Sequence, residues 1–156
     1  MEFMKKAITA AKSRAHLDAR FQKLRPVSQY HAPVRGWIRA IRSALGMSTA
    51  QLASRLGIKQ PSVIALELSE ERGSIELATL RRVAEALDCT VVYALVPNQP
   101  LEKTVRDRAR VVAGARRAAV AHSMLLEDQA VDTADSEERL DEFIRETSPG
   151  RLWDEP

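Results

Sequence analysis

The stretch "GWIRAIRSALGMSTAQLASRLGIKQPSVIALELSEERGSIELATLRRVAEALDC", residues 36–89, constrains the fold more than any other part of the chain. Three glycines, Gly46, Gly57 and Gly73, divide it. A glycine just past a helix enters the left-handed conformation without steric cost. The spacing therefore predicts four short helices, over about residues 36–45, 49–56, 60–69 and 76–87. The expected fold class is all-α.

Within it, "QLASRLGIKQPSVIALE", residues 51–67, carries the marks of two helices crossing at a tight turn. Leu52 and Leu56 face a core, Ala53 is small enough for the second helix to cross close by, and Gly57 makes the turn. Ile58, Val63 and Leu66 bury the inner face of that second helix. Lys59, Gln60, Pro61, Ser62 and Ile64 are left on its outer, N-terminal side, the part that enters the major groove in a helix-turn-helix. Gln60 can make paired hydrogen bonds to adenine, and Ile64 can touch a thymine methyl. Ser48 and Thr49 begin the preceding helix, where backbone N–H groups favour a phosphate. Arg39, Arg42 and Arg72, with Lys59, are candidate phosphate contacts. Residues 36–96 resemble the lambda-repressor-like, or Cro/C1-type, helix-turn-helix family, which implies double-stranded DNA as a partner. Where that family often caps the second helix with Ser or Thr, this chain has Lys59.

"TVVYALVP", residues 90–97, is rich in β-branched residues and ends at Pro97. It is the one good strand that the sequence offers. A lone strand leaves backbone donors and acceptors unpaired, and the simplest partner is the same strand of a second copy across a twofold axis. Val91, Val92, Tyr93 and Leu95 then become dimerisation residues. The alternative is a buried extended tail. The full expectation is a helix-turn-helix bundle whose short strand pairs across a homodimer, with helical extensions at both ends. Such a dimer binds a palindromic operator with half-sites about one turn of DNA apart.

The extensions are strongly charged. Net charge is +8 over residues 1–46, −1 over 47–100, +4 over 101–126 and −8 over 127–156, giving +3 for the chain. A basic front suits nucleic acid. An acidic tail suits solubility, self-shielding or a basic protein partner, and blocks of opposite sign in separate segments argue for two different partners. Residues 5–25 read as a helix ended by Pro26, 101–126 as a long basic helix, and 136–146 as a short one, before a frayed end holding Leu152 and Trp153. Three regions follow: a basic N-terminal helix and linker over 1–35, a DNA-binding and dimerisation domain over 36–97, and a helical region with an acidic tail over 98–156.

In "AHSMLLEDQA", residues 121–130, Ser123 and Glu127 stand four apart, so on a helix they share a face. With 18 Ser/Thr and 13 Glu in the chain, chance gives roughly 1.5 such pairs. The chain has two, the other being Thr133/Glu137, so spacing alone does not distinguish them. Resemblance does. Ser-x-x-x-Glu followed by a small polar residue resembles the inhibitory motif of antitoxins that silence Fic-domain toxins. That likeness implies Glu127 as a wedge on a toxin arginine, in the space of the ATP γ-phosphate, with Ser123 anchoring the helix at the nucleotide site. An Arg–carboxylate fork is strong and directional. Met124 and Leu125 would dock, and Asp128 stands where Gly or Asn is usual. More widely, "GWIRAIRSALGMS", "LRRVAEALDCTVVYALVP", "HSMLLEDQ" and "RLW" are similar to the mobile mystery protein A family, whose members pair with a Fic-domain protein. The resemblance implies an antitoxin that also represses its own operon.

Other classes find little support in the residues. His16, His31 and His122 lack metal-ligand spacing, Cys89 is alone, and no Gly-rich phosphate loop carries a lysine. We expect no catalytic residue, no metal and no cofactor. No apolar run reaches the roughly 18 residues of a membrane span, and no secretory core opens the chain, so the expected location is cytoplasmic. The competing reading is a free-standing phage-like repressor whose C-terminal helices serve only oligomerisation.

Overall fold

The computed structural model describes residues 2–123 and 133–154. In chain order they form α1 (Glu2–Gln22), α2 (Trp37–Ala44), α3 (Thr49–Leu56), α4 (Gln60–Glu71), α5 (Leu77–Ala86), α6 (Leu101–Ser123) and α7 (Thr133–Glu146), with 3-10 turns at Val27–Tyr30 and Pro149–Leu152. The chain divides into two compact units, residues 26–95 and residues 1–25 with 96–156.

The first unit holds α2 to α5. Its helices break where the glycines stand: Gly46, Gly57 and Gly73 have φ of +65°, +65° and +70°. Ser48 starts α3 with a reciprocal cap. Its hydroxyl accepts from the Gln51 amide, and the Gln51 side chain accepts from the Ser48 N–H. Ile38, Leu52, Ala53, Val63, Val83 and Leu87 form the buried core. α2 has no local capping side chain; Gly36 stands at its N-cap. Its orphan N–H groups are served from α4 instead. The Glu70 carboxylate accepts from the Trp37 and Ile38 amides, both at 2.9 Å. Gly36 makes room for this. Its φ is +81°, and a Cβ there would lie 2.6 Å from Glu70 Oε2.

Residues 90–97, expected as a strand, form no strand in the single chain. They are not a buried tail either, since Val92 and Leu95 are each 87% exposed. A strand exists only through a partner's hydrogen bonds, and among the described residues of one copy no second strand lies against this segment. Arg81 packs its guanidinium over the Tyr93 ring at 5.7 Å.

The second unit joins the basic N-terminal helix to the C-terminal helices. α1 packs along α6, and Val105, Ala109, Leu140 and Leu152 form the core with Phe143 and Ile144 against it. The 3-10 turn that buries Leu152 replaces the expected frayed end. Asp18 of α1 caps α6 by accepting from the Leu101 and Glu102 amides at 2.7 and 3.2 Å. Arg14 reaches Glu102 at 2.7 Å.

The charge blocks expected to face two different partners meet here. Arg106 of α6 pairs with Glu137 and Asp141 of α7 at 3.0 and 2.6 Å, and Arg110 pairs with Glu137 at 2.7 Å. Arg110's hydrogen bond holds the Glu137 carboxyl below its ordinary value, and Glu137 in turn raises Arg110. Lys103 and Arg110 likewise hold Asp107 low, chiefly through the Lys103 hydrogen bond. Part of the acidic tail therefore shields the basic helix of its own chain.

Candidate nucleic-acid interface

The turn between α3 and α4 is built as its residue pattern requires. Leu52 and Ala53 are buried, so α4 crosses closely. Gly57 takes the left-handed conformation, and the Ile58 amide returns to the Ala53 carbonyl at 3.0 Å. Lys59 is the extended N-cap residue of α4 and makes no side-chain cap; Pro61 lies in the first turn, where its missing N–H costs nothing. Val63 and Glu67 point into the unit, and Ile58 and Leu66 pack against its core.

This arrangement leaves Lys59, Gln60, Pro61, Ser62 and Ile64 exposed together on the first turns of α4. It also brings two helix starts side by side. The Gln60 amide donates to Thr49 Oγ1 at 2.8 Å, so the N-termini of α3 and α4 adjoin. That bond fixes the orientation of the Gln60 amide and leaves its oxygen and second N–H for a base edge. The positive ends of both helix dipoles sit at the same place, which suits a phosphate chain.

The candidate phosphate contacts divide. Arg39 is half-buried on α2 and makes no ion pair among the described residues. Arg72 follows the last turn of α4, roughly 18 Å along the axis from Gln60. Arg42 is not available. Its guanidinium binds both Glu67 oxygens, at 2.6 and 3.2 Å, and the Met47 carbonyl at 2.8 Å. The side chains of this pair are only 12% and 8% exposed. The expectation that Arg42 contacts phosphate is corrected: it is an internal brace between α2 and α4.

Glu67 and Glu70, which hold α2 onto α4, escaped the sequence reading. The available signal was a helix beginning at Trp37 with only Gly36 before it, so a cap had to come from elsewhere. Arg55 does similar work, donating to the Ala86 carbonyl at the end of α5 at 3.2 Å.

Of the residues expected to inhibit a toxin, Ser123 is the last of α6, and its side chain, with Met124, Leu125, Glu127 and Asp128, lies outside the described residues. Glu137 of the second Ser/Thr-x-x-x-Glu pair is described and already engaged by Arg106 and Arg110. No group of three His, Cys, Asp or Glu side chains among the described residues could hold a metal ion. No helix among them is long and apolar enough to cross a membrane.

Residues 38–93 match the helix-turn-helix family. No curated protein and no solved structure matches the chain. The first unit thus contains a helix-turn-helix domain, with α3 and α4 as its two crossing helices.

Proposed function

We propose that this chain is a DNA-binding transcription regulator that acts as a homodimer on a palindromic operator, and that it is also the antitoxin of a Fic-domain toxin. The observation that carries the DNA reading is the exposed first turn of α4 set against the first turn of α3, with Gln60 held by Thr49. Lys59 and Ser62 on that turn are its phosphate contacts, with Arg39 of α2 as a further basic group. Homodimer formation is supported by the segment at Val91, Val92, Tyr93 and Leu95, where Val91 is half-buried, the other three side chains are exposed and the backbone lacks a ladder. Footprinting with the whole chain tests this. Two protected half-sites about one turn of DNA apart are expected; a single asymmetric half-site at stoichiometric protein overturns the dimer.

The antitoxin half rests on the Ser123-x-x-x-Glu127 resemblance and on the wider likeness in sequence. Glu127 is the proposed wedge because Glu137 is already tied to two arginines. The test is adenylylation of protein by a partner Fic-domain toxin with labelled ATP. The wild-type chain is expected to silence the reaction, and Glu127→Ala, still bound, to release it. The competing reading, a free-standing phage-like repressor, gains from one observation: α7 already neutralises part of α6. Failure of the chain to bind or silence such a toxin would favour it.

A further inference from the structure

The outward face of α4 is unusually apolar for a helix that meets DNA. Pro61, Ile64, Ala65 and Leu68 are all exposed and follow the spacing of one helix face. Ile64 is 47% and Leu68 42% exposed, whereas Val63 and Glu67 on the opposite side are buried. The polar reading groups are few. Gln60 has one N–H committed to Thr49, and Ser62 is the next. The major groove presents one apolar recognition group, the C5-methyl of thymine.

Building on the DNA-binding reading above, we infer that Ile64 is a specificity-determining residue, and that the operator is selected by a thymine methyl packed against it. Ile64 lies one turn beyond Gln60, still in the part of the helix that reaches base edges. Leu68, a further turn away, extends the stripe toward the rim. An isoleucine cannot exchange hydrogen bonds with a base. Its discrimination comes from apolar area removed from water, so it distinguishes thymine from a base lacking the methyl at the same position.

The test uses the full chain and duplexes enriched from a random pool. Each thymine of the enriched site is replaced in turn by deoxyuridine, which removes only the methyl. At one thymine per half-site, wild-type binding is expected to weaken about four-fold, the factor for one buried methyl-sized group. Ile64→Ala is expected to bind the thymine duplex more weakly and to be indifferent to deoxyuridine at that position. Leu68→Ala, which keeps Ile64, is expected to retain the sensitivity. Equal wild-type binding to every thymine and deoxyuridine duplex overturns the inference and leaves the DNA-binding reading intact. Unchanged DNA binding by Ile64→Ala also overturns it, and would assign the stripe to a protein partner. If no duplex is enriched, the DNA-binding reading itself fails, and this inference with it.

Discussion

Removing the Glu67 carboxylate should damage the helix-turn-helix unit more than any change on the face proposed for DNA. Glu67→Ala strips a bidentate acceptor, at 2.6 and 3.2 Å, from an arginine whose side chain is 12% exposed. Breaking a buried pair from one side costs about 3–5 kcal/mol, because the remaining charge is left uncompensated. Arg42 keeps its bond to the Met47 carbonyl, so the loss should fall near the lower end, about 3 kcal/mol. A unit spanning residues 26–95 shifts its midpoint by roughly 4–8 °C per kcal/mol. That predicts a fall in Tm of roughly 12–24 °C. Trp37 lies in this unit and Trp153 in the other, so Trp37 fluorescence in a Trp153→Phe background follows this unit during urea or thermal unfolding. The pair Arg42→Met with Glu67→Leu should lose far less than Glu67→Ala, since apolar replacement of both partners is often neutral. A Glu67→Ala loss under about 1 kcal/mol, the range of an exposed ion pair, would refute the assignment of Arg42 as a buried brace.

Other outcomes follow from the same geometry. Gly36→Ala should destabilise this unit by about 1–3 kcal/mol, because the new Cβ meets Glu70 Oε2 at 2.6 Å in a backbone conformation suited to glycine; Trp37 fluorescence during urea unfolding checks it. Asp18→Ala should cost the second unit about 1–2 kcal/mol by uncapping α6, read from Trp153 fluorescence. Glu137 has a lowered pKa in the folded chain, so its stabilising contribution is present above its unfolded value and lost as pH falls through the lower folded one. The stability gap between wild type and Glu137→Gln should therefore close as the pH drops below about 4, as measured by urea titration across pH. Lys59→Ala should weaken DNA binding uniformly across sequences and reduce the slope of log affinity against log salt by about 0.9 for each protomer of the bound dimer, whereas Arg42→Lys should leave that slope unchanged.

The helix-turn-helix was legible because its signals are local. Ser48 and Gly57 fix the two ends of α3 within the segment itself, so the predicted and observed limits agree at residues 49–56. The Arg42–Glu67 brace was not legible, because an arginine beside a DNA-reading helix looks like a phosphate contact until its fold brings a glutamate 25 residues away against it. The Asp18 cap on α6 spans 83 residues and has no signature in the local pattern. Residues 90–97 are a different case. Their composition favours a strand, but strand propensity describes how a side chain fits a sheet, and the described residues of one copy supply no sheet for it to join. The two charge blocks were read correctly as segregated; that α7 folds back on α6 depends on tertiary packing. Ser123 and Glu127 rest on resemblance alone, since the Ser123 side chain and residues 124–132 lie outside what the structure describes.

Base reading by the first turn of α4 is measured by the specificity ratio, the affinity of the whole chain for an enriched duplex over that for a scrambled one at fixed salt. A wild-type ratio of about 10³ or more is expected. Gln60→Ala should lower that ratio by the equivalent of about 1–3 kcal/mol per half-site, with the discrimination lost at one adenine in each. If Gln60→Ala leaves the ratio unchanged while weakening both duplexes alike, Gln60 serves only the backbone, and sequence is not read by the first turn of α4.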